Sequence, residues 1–230
     1  MVRLVTRRAF IGSVAGALVV GGVGGYFGRN LLTPSTGGID PVLGFTGLSL
    51  QTAPPRQPDH EVQLNIRPRP PVPIPEFYFE PTGLLVQPGQ TVRFSAVTPH
   101  HSVSDFHPLH GRDLRVPDGV PAFSSPVLPV GSYWLYTFEK EGVYDLFCGP
   151  HEYFGMVMRV VVGSATGPGA SPPPPPIPLP EEGATLPPLL TGAAVLRDPA
   201  LDGNNIVQKG TVTWDELSAD SKKLLLALAP

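Results

Sequence analysis

Read for the alternation of apolar and polar positions, much of the chain falls into short segments of period two, punctuated by proline and glycine. Glu61-Val62-Gln63-Leu64-Asn65-Ile66-Arg67 alternates cleanly, the pattern of a half-buried strand. Pro68 to Pro75 holds five prolines in eight positions, which predicts extended backbone at a sheet edge, short of ladder donors. Phe77-Tyr78-Phe79 and Leu84-Leu85-Val86 follow, then a Gln87-Pro88-Gly89-Gln90 turn and Thr91-Val92-Arg93-Phe94. Ser132 to Phe138 is a strongly aromatic strand, Gly142 to Phe147 a second, and Met156 to Val162 a valine-rich closing strand that reads as buried. Asp105 to Pro126, broken by Pro, Gly and Asp, reads as an ordered excursion over the surface, and long loops in compact domains are usually functional or disordered. About seven or eight strands over roughly 100 residues, with Pro-Gly turns between them, predict an all-β Greek-key sandwich across residues 60–163.

The segments outside that window have other patterns. Arg3, Arg7 and Arg8 precede a nearly uncharged, glycine-rich apolar run from Ala9 to Phe27, so residues 1–30 are expected to be a targeting segment rather than part of the fold. Thr6-Arg7-Arg8-Ala9-Phe10-Ile11 resembles a twin-arginine export signal, which predicts delivery to the periplasm or the extracytoplasmic membrane face. No small-x-small cleavage site follows, and roughly 19 apolar residues approach the spanning length, so the segment also suits an N-terminal anchor helix and membrane tether. Residues 31–59 read as a tether. Residues 164–188 form a proline-rich linker, with Pro172 to Pro176 unbroken, a run that favours the stiff polyproline II conformation. Residues 189–230 are too short for a second core and are expected to dock on the sandwich or on a partner. There Thr213-Trp214-Asp215-Glu216 has the form of a capping box, predicting a short helix with Trp214, Leu217, Leu224, Leu225 and Leu228 on one face.

Composition narrows the function classes. The 31 Pro and 26 Gly are far above average usage, in line with the linkers and loops just described. Net charge is −3, and no Lys/Arg-rich cluster occurs beyond the N-terminus, so no nucleic-acid footprint is present. The single cysteine, Cys148, rules out an intramolecular disulfide, and a lone thiol in an exported chain asks for a chemical role.

Its neighbours suggest that role. Cys148, His151 and Met156 are spaced Cys-x2-His-x4-Met on one loop between two strand-like segments, and His101 in Thr98-Pro99-His100-His101-Ser102-Val103 can join them from a distant strand end. Two imidazoles and a thiolate in a trigonal set, with a weak axial thioether, are the ligands of a blue-copper electron-transfer site. Taken singly these residues are weak signals: a lone cysteine is most often inert core, and a methionine at a strand start is usually packing. Their joint spacing is what carries the reading. His100 competes with His101, and Met158 with Met156. His60, His107 and His110 read as solvated loop residues.

The Cys148–Met156 loop, with His101-Ser102-Val103 upstream and Val86-x-Pro88-Gly89-x-x-Val92 before it, resembles the cupredoxins, most closely the plastocyanin, pseudoazurin and halocyanin group. The resemblance covers roughly residues 77–163. It implies a cupredoxin-like sandwich holding one type 1 copper ion through His101, Cys148, His151 and Met156. His101 is chosen over His100 because His-Ser-Val matches the family's His-x-Val. Ser102 stands where relatives often carry Asn and is expected to tie the two ligand segments together, and Pro150 to stiffen the loop. The implied activity is single-electron transfer between redox protein partners, not catalysis, with Pro150, Tyr153 and Phe154 as an apolar docking patch beside His151. A multicopper oxidase would need His-x-His pairs, which the chain lacks, and the dinuclear centre of terminal oxidases needs two cysteines. A copper delivery or sensing module remains the alternative reading.

Overall fold

The computed structural model describes residues 38–173 and 191–225. The export or anchor segment at 1–30, the start of the tether, most of the proline-rich linker and Leu228 lie outside these residues. Among the described residues no helix is long and apolar enough to cross a membrane.

Two five-stranded sheets face each other. The first contains β1 (Phe45–Gly47), β2 (His60–Arg69), β3 (Val72–Glu80), β5 (Gln90–Ala96) and β7 (Tyr133–Phe138), in the order β1-β7-β5-β2-β3. The second contains β4 (Gly83–Val86), β6 (Ser104–Asp105), β8 (Gly142–Phe147), β9 (Val157–Val162) and β10 (Thr211–Val212), in the order β10-β4-β9-β8-β6. Pairs β2–β5 and β4–β9 are parallel and the others antiparallel. This is the all-β, two-sheet sandwich that the alternation and the turn residues predict. The proline-rich stretch 68–75 lies in the β2–β3 hairpin, and β3 is the sheet's outer strand, where missing N–H donors cost least.

Period-two packing explains the core. Val62, Leu64, Phe79, Val92, Phe94, Trp134, Tyr136 and Phe138 point inward from the first sheet, and Leu84, Val86, Tyr144, Leu146, Met158, Val160 and Val162 meet them from the second. Phe123, from the 105–126 excursion, stacks on Tyr136 at 4.0 Å between ring centres, so that loop is part of the core. The alternate residues of the second sheet, Val143, Phe147, Val157 and Val161, are also buried, under Val195, Leu196, Leu201, Ile206, Val212, Trp214 and Leu217 of the C-terminal segment. A strand covered on both faces has no use for polar alternation, hence the near-continuous run Val157–Val162. Its one charge, Arg159, pairs across the ladder with Asp145 at 2.7 Å, and Arg115 binds the same carboxylate at 2.6 Å.

The C-terminal segment adds two short helices, α1 (Thr191–Leu196) and α2 (Gly203–Lys209), and lays β10 against β4. The capping box at Thr213 forms, but the helix it opens stops after a single 3-10 turn, Trp214–Glu216, and Leu217 is already extended. The reason is tertiary. Trp214 is buried against Tyr78 with its rings stacked at 5.5 Å, and Asp198 accepts from the Ser218 N–H, drawing the chain away from a helical path. Leu224 and Leu225 are only half-buried, so the single apolar face expected there does not form. The stretch read as a tether contributes β1, paired with Tyr133–Leu135. It fits because Gly47 presses on the Tyr133 ring, which a Cβ there would meet at 2.2 Å, and because Trp134 Nε1 donates to Leu43 O at 2.9 Å.

Candidate metal centre

The end of the sandwich where β5 leaves for β6 and β8 turns into β9 brings two loops together. The loop after β8 closes on itself: His151 N and Glu152 N both donate to Cys148 O, Phe154 N and Met156 N to His151 O, and Cys148 N to Met156 O at 3.0 Å. Pro150 lacks an N–H and takes no part in this ladder, and Gly155 supplies the left-handed turn, φ 96°, that brings the chain back into β9. These bonds set the spacing of Cys148, His151 and Met156 within nine residues.

His101 arrives on the other loop and is fully buried, whereas its neighbour His100 is exposed at φ 65°. His101 Nδ1 lies 3.7 Å and His151 Nδ1 3.5 Å from Cys148 Sγ, and the three donor atoms all lie within 4.8 Å of one another. A metal held at about 2.0 Å by nitrogen and about 2.3 Å by sulfur in a trigonal plane would separate S from N by about 3.7 Å, so the residues present fit such an ion. Met156 is fully buried beside Cys148 in the core, and Met158, two residues on, faces the same core along β9. His60 bonds Gln90, His107 accepts from Leu109 N, and His110 contacts Asp105 and Phe123 O, so none of these joins the cluster.

The surroundings prepare the donors. Thr98 Oγ1 sits 3.0 Å from Leu64 O and 2.8 Å from His101 Nε2. A carbonyl only accepts, so the single hydroxyl proton goes to Leu64, and the oxygen must then accept from Nε2–H. That assigns the tautomer: His101 Nδ1 is bare and faces the thiol. Ser102 ties the loops twice, its N–H donating to Cys148 Sγ at 3.4 Å and its Oγ accepting from Gly149 N at 3.0 Å. Burial, then the neighbouring His151 and His100, pushes the His101 pKa down to about 3. Burial and His100 take His151 down to about 4. Burial pushes the Cys148 thiol up to about 11, against the opposing hydrogen bonds from Ser102 and His151. In the copper-free protein at neutral pH the site is therefore two neutral imidazoles and one thiol.

Three neighbours are invisible to motif reading. Thr98 is one. Phe77, at the start of the Phe-Tyr-Phe run, stacks on His151 at 4.2 Å and 21°, and Phe154 packs on Phe77 at 5.1 Å. Glu152, beside His151, is buried and bound by Arg112 of the excursion. Pro150 and Tyr153 are exposed and Phe154 half-buried.

One end of the two-sheet sandwich thus brings two imidazoles and a thiol together, with Met156 buried next to Cys148. Residues 72–163 match the family described as copper binding proteins, plastocyanin/azurin family. A relative from Rhizobium leguminosarum bv. viciae is 40% identical over 85 residues, 37% of this chain and 50% of its own. The pseudoazurin of Methylorubrum extorquens is 33% identical over 85 residues, 37% of this chain and 51% of its own. The chain thus spans about half the length of the curated relatives it matches. Among solved structures, pseudoazurin from Methylobacterium extorquens AM1 aligns with a TM-score of 0.40 and 21% identity over 65% of this chain and 95% of that one. Pseudoazurin from Hyphomicrobium denitrificans aligns with a TM-score of 0.37 and 26% identity over 46% and 76%.

Proposed function

We propose that this chain is an exported, single-copper electron carrier, with His101, Cys148 and His151 as the trigonal ligands and Met156 as the axial one. The observation that carries the reading is the convergence of two imidazole Nδ1 atoms on one buried thiol at 3.5 and 3.7 Å. Copper held there supplies a one-electron couple. The chain's own residues keep the site from reshaping as the charge changes. Thr98 holds the His101 ring, Ser102 ties the two ligand loops, and the Ser102 N–H stabilises negative charge on sulfur. Sandwich packing around Met156 and Phe77 excludes water from the buried side. His151 is the half-exposed ligand, so its imidazole edge is the route out for the electron. Pro150, Tyr153 and Phe154 around it form an apolar patch suited to docking a redox protein. Export and membrane tethering rest on the N-terminal sequence, with its Arg7-Arg8 pair and apolar run.

The test is a visible absorption spectrum of the purified chain titrated with Cu(II). An intense thiolate-to-copper band saturating at one equivalent and lost in Cys148→Ser is the expected result, and Met156→Leu keeps the band while raising the potential. A colourless protein, or weak absorption that survives Cys148→Ser, overturns the reading. A blue site that yields its copper rapidly to a weak chelator would favour a delivery module instead.

A further inference from the structure

Two segments that the motif leaves unexplained, the 105–126 excursion and the C-terminal segment, both pack on the ligand loop. Glu152 is the residue after His151 and is only 1% exposed. Its carboxylate accepts from Arg112 Nε at 3.0 and 2.9 Å and from Nη2 at 2.5 Å. The same guanidinium lies 5.3 Å over the ring of Phe147, the residue before Cys148, so Arg112 touches the ligand loop at both ends of its first turn. Arg112 is itself held, its N–H donating to His107 O at 3.3 Å within a loop whose Phe123 end is buried in the core. The second segment contributes α1. A Cβ at Gly192 would meet Val157 Cγ1 at 2.8 Å and Glu152 O at 3.4 Å, and one at Gly155 would meet Thr191 and Val195 at 3.2 Å. The loop is thus held by a charged pair and by a helix that approaches too closely for a side chain at Gly192.

We propose that Arg112, Glu152 and α1 form a clamp that holds the Cys148–Met156 loop in its ligand geometry before any metal arrives, making Arg112 and Glu152 positioning residues for His151. A carboxylate buried beside a ligand is costly unless paired, and pairing it with a second loop converts that cost into a fixed distance between the loops. A ligand loop whose donors are already spaced at 3.5 Å need not reorganise to take up the ion or to change its charge. The assignment of His151 as a ligand rests on the function proposed above; the rigidity of the loop does not.

The test reads the two separately. Amide hydrogen exchange of residues 149–156 is measured on the full copper-free chain, for wild type, Arg112→Met, Glu152→Gln, their double variant and Arg112→Lys. Glu152→Gln leaves a neutral amide, and the partly exposed Arg112 can turn to water, so that variant is expected to fold even where Arg112→Met, which orphans a buried carboxylate, does not. Loss of charge-assisted bonds should speed exchange in the loop about tenfold or more, with the double variant no faster than the singles and Arg112→Lys in between, while the amides of Met158 to Val161 stay protected. Copper-loaded Arg112→Met should then lose copper to a chelator faster and show an altered electron paramagnetic resonance spectrum. Loop exchange unchanged in Glu152→Gln or in Arg112→Met, or speeded equally across the whole sandwich, overturns the clamp. A wild type that never develops the thiolate–copper band overturns the copper reading while leaving the exchange result standing.

Discussion

Loading the site with copper should release one proton at neutral pH, and that proton should come from Cys148. In the copper-free protein the His101 pKa lies at about 3 and that of His151 at about 4, so both imidazoles are neutral at pH 7 and have none to give. The Cys148 thiol, at about 11, carries its proton and must lose it to become a ligand. Between about pH 5 and 10 the apparent affinity should therefore rise tenfold per pH unit, about 1.4 kcal/mol each, or about a thousandfold from pH 5 to 8. Below pH 4 the slope should steepen as imidazole protons also have to leave, and above pH 11 it should flatten. An unstructured chain with histidines near their ordinary pKa would behave differently: at pH 6 it would release about two and a half protons per ion. The assay is anaerobic calorimetry of Cu(II) binding in buffers of different ionisation enthalpy, which counts protons directly. A count near one at pH 6 and pH 8, abolished in Cys148→Ser, is expected. A count of two or more at pH 6 would show charged imidazoles before metal arrives, and a count near zero a thiol already ionised; either refutes the reasoning.

The same groups govern stability without metal. Because the folded pKa values of His101 and His151 lie below the ordinary 6.5, the unfolded chain binds more protons in acid. Urea stability of the copper-free protein should then be full above pH 6.5 and fall by roughly 3 kcal/mol or less per imidazole as pH drops toward 4; a flat profile would contradict it. The Cys148 thiol, raised above its usual 9, adds a second decline from pH 9 to 11. Thr98→Val, which removes the partner of His101 Nε2–H, should weaken copper affinity about tenfold or more, with Thr98→Ser near wild type; equal affinities in all three would refute the tautomer argument. Trp214→Ala should cost about 3–5 kcal/mol in denaturant unfolding, whereas Trp214→Phe should cost far less because Nε1 has no hydrogen-bond partner among the described residues. Asp145→Asn, leaving Arg115 and Arg159 facing a neutral amide, should cost about 3–5 kcal/mol by the same measurement, and a neutral outcome would show the buried triad is replaceable.

The two-sheet sandwich was legible because a strand's side chains alternate by geometry, and Pro-Gly turns punctuate the pattern wherever the chain reverses. The Cys148–His151–Met156 spacing was legible for a similar reason: the bonds that shape it run within nine residues, so local sequence is enough to encode them. What sequence could not decide were matters between distant segments. Phe45–Gly47 looks like any tether until Tyr133 and Trp134 offer it an edge to pair with. The Thr213 capping box promises a helix, and only the pull of Trp214 onto Tyr78 ends it after one turn. The tautomer of His101 depends on Thr98 and on the carbonyl of Leu64, 37 positions away from the ligand and brought near only by the parallel pairing of β2 with β5. Arg112 finds Glu152 across 40 residues and belongs to no pattern of its own. Periodicity and ligand spacing are properties of a few consecutive peptides and survive in one dimension. The partner of a buried polar group is whichever donor or acceptor the completed packing leaves within reach, and that exists only once the chain has folded.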